Sequence, residues 1–66
     1  MNKELKGLLL VILTNQGLLL TGLRITTGLM VSATPESKEI KDFDKMVEDQ
    51  LSYTGDLCEA LKKEVA

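Results

Sequence analysis

Few side chains in this 66-residue chain have types and spacings that could do chemistry. Cys58 is the single thiol, and there is no histidine. A serine or cysteine nucleophile needs a base beside it, usually histidine, so that arrangement is excluded. One thiol without histidine also cannot build a Cys/His zinc site. Cys58 directly follows Leu57 on an apolar stripe and reads as a small buried hydrophobe. Carboxylates occur close together at Asp42/Asp44 and Glu48/Asp49. Neighbouring positions on a helix diverge, so these read as a solvated face. They lack the alternating oxygen ligands and the glycine of a calcium loop. The five glycines, at 7, 17, 22, 28 and 55, have no phosphate-loop spacing, and no Gly-Lys-Ser/Thr occurs. These residues imply no cofactor and no metal, and they point away from an enzyme.

Arg24 is the exception. It is the only charge between residues 7 and 33, and Thr26 and Thr27 lie beside it. A guanidinium offers two parallel hydrogen bonds to a phosphate or carboxylate. Arg24, Thr26 and Thr27 are therefore the candidate ligand-binding set, for a small anion or nucleotide held between subunits. Symmetry would bring copies of the set together in an oligomer. The plainer expectation is a rim arginine paired with a carboxylate of the C-terminal helix.

Charge narrows the partners. Eight basic residues face ten acidic ones, the net charge is −2 and the sequence pI is about 4.9. Binding a nucleic-acid backbone needs a basic patch, and base stacking needs aromatics. Phe43 and Tyr53 are the only aromatic residues, so nucleic acid is disfavoured. The chain has room for one domain, and one this small buries only about 60% of its unfolded surface. Small folds add disulfides, a metal or oligomerisation. A single cysteine leaves oligomerisation, and it fits a reducing, cytoplasmic setting.

The elements that must position these residues fall into two halves. In the second half, Thr34 suits an N-cap, Pro35 suits the first helical position, and Glu36 suits the helix dipole. The spacing predicts an amphipathic helix over 35–65. Its stripe is Ile40, Phe43, Val47, Leu51, Leu57, Leu61 and Val65. Gly55 is a weak point, so one long helix or two joined near 53–55 both fit.

For residues 7–33 the pattern suggests a β-hairpin or three-stranded meander. Asn15-Gln16-Gly17 suits a three-residue turn, and Thr27-Gly28 suits a second turn before a short strand over 29–32. With Thr14 opposite Leu18, one face carries Leu9, Val11, Leu13, Leu19, Thr21, Leu23 and Ile25. The other carries Leu8, Leu10, Ile12, Leu18, Leu20, Gly22 and Arg24. A half-wet sheet would alternate apolar with polar residues. Here both faces are apolar, and one helix covers only one of them. Leu8, Leu10, Ile12, Leu18 and Leu20 are therefore the candidate oligomer interface.

The segment "LTNQGLLLTGL" resembles the turn of Sm-like RNA-binding proteins, but Gln16 splits the Asn-Gly pair and the second Sm motif is missing. No family is assigned on it, and no RNA-binding residue follows from it.

The resulting expectation is an α+β fold forming a homo-oligomer. Its role would be a non-enzymatic binding or assembly module that takes a small anionic ligand or a protein partner at subunit interfaces. The alternative is all-α. Gly7 to Val31 is long enough to cross a membrane as one helix, with the amphipathic helix in the cytosol. Against it stand Thr14-Asn15-Gln16 near the middle and Arg24 within the span.

Overall fold

The computed structural model describes residues 2–65. It is a hairpin of two antiparallel helices, α1 (Lys3–Ala33) and α2 (Lys38–Val65), forming a rod of 48 × 14 × 14 Å. No strand occurs among the described residues. The α+β expectation is thereby corrected to all-α, and the hairpin or meander over 7–33 is a single helix of 31 residues.

The physical reasons are local. Leucine is a strong helix former and a weak strand former, and this segment is rich in it. The expected turn at Asn15-Gln16-Gly17 needs a glycine with positive φ, and no described residue has one. The threonines that looked like strand residues instead donate their hydroxyls four residues back along the helix. Thr14 donates to the Leu10 carbonyl at 2.8 Å, Thr21 to Gly17 at 2.8 Å and Thr26 to Gly22 at 3.1 Å. This satisfies each hydroxyl within the helix.

Asn2 starts α1, its side chain accepting from the Leu5 amide at 2.8 Å. Thr34 closes it, donating its amide to the Met30 carbonyl at 2.9 Å. The helix stops there because Pro35 has no N–H to continue the ladder. The N-cap of the second helix is Ser37 rather than Thr34. The Ser37 hydroxyl accepts from the Ile40 amide at 3.3 Å, and its carbonyl accepts from Lys41 at 3.3 Å. Pro35 and Glu36 form the turn between the helices. α2 runs unbroken through Ser52–Asp56, with Gly55 facing open space.

The helices meet along a seam of seven-residue period. On α1 it contains Leu10, Leu13, Gly17, Leu20, Arg24, Thr27 and Val31, and on α2 Ile40, Asp44, Val47, Leu51, Thr54, Cys58 and Leu61. Every one of these is buried or half-buried. Facing residue numbers add to 71 at both Thr27–Asp44 and Gly17–Thr54. Phe43, expected inside, is 45% exposed; Leu57 is half-buried beside the seam. The Val65 side chain lies outside the described residues.

Candidate functional site

The seam is narrow and half polar. Its most buried members are two hydrophobics, Leu13 and Val47, and two threonines, Thr27 and Thr54. The Thr27 hydroxyl donates to the Asp44 carboxylate at 2.5 Å, with the Arg24 carbonyl 3.1 Å away. Arg24 reaches Glu48 at 3.5 Å, and Lys6 reaches Glu64 at 3.2 Å near the other end. These pairs tie α1 to α2 along most of the rod.

The structure places the candidate ligand set within this pairing. Arg24 sits on the seam with Glu48 beside it, and Thr27 is 1% exposed against Asp44. Thr26 points outward, its hydroxyl on the Gly22 carbonyl. The three do not converge on a common cavity. An incoming anion would also meet the Asp44 and Glu48 carboxylates. No group of three or more potential metal ligands occurs among the described residues.

The candidate interface set divides in two. Leu10 and Leu20 are half-buried toward α2, so they belong to the hairpin's own seam. Leu8, Ile12 and Leu18 are 62, 60 and 68% exposed.

Two flanks run beside the seam and differ in kind. On one, the residues beside the seam are mixed: Thr14, Leu18 and Thr21 from α1, Gly55 and Lys62 from α2. They border a shallow groove of about 300 Å³ over Leu13, Gly17, Leu51 and Thr54. On the other flank, the residues preceding the seam positions are mainly apolar. They are Leu9, Gln16, Leu23 and Met30 from α1, and Phe43, Gln50 and Leu57 from α2. One helical turn further out lie Ile12, Leu19, Met46 and Tyr53, all exposed. The second flank is an apolar face shared by both helices.

Sequence reasoning missed the contribution of α2 to that face. The signal was present: Phe43, Met46, Gln50, Tyr53, Leu57 and Ala60 recur at three and four residues beside the main stripe.

No known family model matches the chain, and no curated protein or solved structure shows significant similarity to it.

Proposed function

We propose that the chain is a non-enzymatic assembly module that associates with copies of itself through the apolar surface the hairpin leaves uncovered. The observation carrying this reading is the exposure of α1. Leu5, Leu8, Val11, Ile12, Leu18, Leu19, Leu23, Ile25, Leu29 and Met30 are 38–76% exposed along its length. Soluble monomers rarely leave so large a contiguous apolar surface in water. The total area agrees. The hairpin exposes 4955 Å², against about 4,200 Å² for a compact monomer of its mass. The reading carries no catalytic role, and it places the protein in the cytoplasm with itself as first partner. A small anionic ligand at Arg24 is not part of it, because Glu48 and Asp44 already engage that region.

A second reading has its own observation. α1 is long and apolar enough to cross a membrane, with a mean hydropathy of 1.7 over its most apolar window. What weighs against it is α2, which packs along α1 and carries 13 charged residues among its 28. A bilayer would have to strip α2 away and separate the pairs at Glu48, Asp44 and Glu64.

Light scattering after size exclusion in detergent-free buffer, with flotation on phosphatidylcholine vesicles, tests the choice. Self-association gives a soluble species at a multiple of 7.3 kDa that does not float. A monomeric mass, or recovery only with the vesicles, overturns it.

A further inference from the structure

We infer that two copies pair along the flank that α1 and α2 share, with their loops at opposite ends, so that α1 lies on α1 and α2 on α2. This rests on the self-association reading and adds the face and the direction. Three observations carry it.

The first is area. The hairpin's excess over a compact monomer is roughly 800 Å². The excess belongs to the whole elongated rod, and burying about that much on each partner is what a standard interface takes. The second is the pattern along the face. Seam partners add to 71, and α1 overlaps α2 from about residue 6 to residue 33, so the middle of the rod falls at Leu19–Leu20. With loops at opposite ends, Leu9 meets Met30 of the second copy and Met46 meets Leu57 of the second copy. With loops at the same end α1 would lie on α2, and Leu9 would come within two residues of Glu64 of the second copy, Leu23 within two of Gln50 and Met30 within two of Phe43. Leu23 faces a glutamine either way, Gln16 in the opposite arrangement, so the difference falls on Leu9, which meets Met30 rather than Glu64, and on Met46, which meets Leu57.

The third observation is charge. Residues 3–6 and 59–64, at one end, carry four lysines and three glutamates. Residues 36–42, at the loop end, carry two lysines and three acids. Taken as halves of the rod, residues 3–19 and 52–64 carry four basic and four acidic side chains and residues 20–51 four and six, so loops at opposite ends keep the two acidic halves apart. Loops at the same end would set like on like.

A twofold axis then crosses the face at Leu19, which at 76% is the most exposed large hydrophobic among the described residues. Leu19 comes within disulfide range of its own copy, while Leu5 lies tens of ångströms from its own. The test uses the full chain with Cys58→Ser, so that each introduced thiol is alone, under mild oxidation and a non-reducing gel. Leu19→Cys is expected to convert most chains to a reductant-sensitive dimer, and Leu5→Cys to convert almost none. Because Leu19→Cys trims the face it reports on, a second pair guards the result. A mixture of Gln16→Cys and Leu23→Cys chains should link, whereas each alone should not. An oligomeric parent protein with neither linkage overturns the pairing and leaves self-association standing. A parent protein that stays monomeric overturns both.

Discussion

α1 and α2 are nearly equal in length and pack along one another, yet they relate to water in opposite ways. α2 is amphipathic, with a narrow apolar stripe toward α1 and charges over most of the remainder. α1 is apolar nearly all round and carries one charge between Gly7 and Val31. A helix apolar on all sides belongs in an interior. α2 covers only one side of α1, and the residues α1 turns toward α2 include Gly17, Arg24 and Thr27. Most of the large apolar residues of α1 thus face away from the intramolecular seam. The hairpin is the smaller part of the burial that α1 needs.

Substitutions can break or sharpen this contrast. The largest effect is expected from Val47→Asp. Val47 is 3% exposed in the middle of the seam, and an unpaired buried carboxylate there costs several kcal/mol. Circular dichroism should show helicity falling in both helices. Ile12→Lys comes next. Ile12 is 60% exposed in one hairpin, so in an isolated chain the change would stay within about 0.5 kcal/mol. If the outer surface of α1 is an interface, light scattering should show a smaller assembly at the same concentration. Thr27→Val removes the hydroxyl that Asp44 accepts from and should cost about 1–2 kcal/mol in urea unfolding. Gly55→Ala is the smallest and has the opposite sign. Open space surrounds that position in mid-helix, so the change should stabilise by about 1 kcal/mol and raise the unfolding midpoint.

Legibility in the sequence followed the same divide. Ile40, Val47, Leu51 and Leu61 recur at helical spacing amid charges, so α2 announces its period and its inward side. α1 offers no such contrast. With leucine or isoleucine on every side, alternation and helical periodicity fit equally well, and Asn15-Gln16-Gly17 has the residue types of a turn. The seam of α1 is marked by its interruptions, Gly17, Arg24 and Thr27, which recur at three and four residues with Leu10, Leu13 and Leu20. Gly17, Arg24 and Thr27 share the inside with Leu10, Leu13, Leu20 and Val31, while leucines and threonines both lie outside, so the usual contrast is missing. Arg24 was legible as a residue needing a carboxylate, but Glu48 as that carboxylate becomes visible only once the antiparallel register is known. The surplus of apolar surface was also legible, although its distribution between seam and exterior was not: Leu10 and Leu20 went inward, Leu8, Ile12 and Leu18 outward.

The most direct test of the central claim, that other copies of the chain cover the outer surface of α1, is the thermal midpoint measured over a hundredfold range of protein concentration in detergent-free buffer. If folding is coupled to self-association, the midpoint climbs steadily with concentration. A midpoint that stays fixed, for a species whose mass remains 7.3 kDa throughout, would contradict the account.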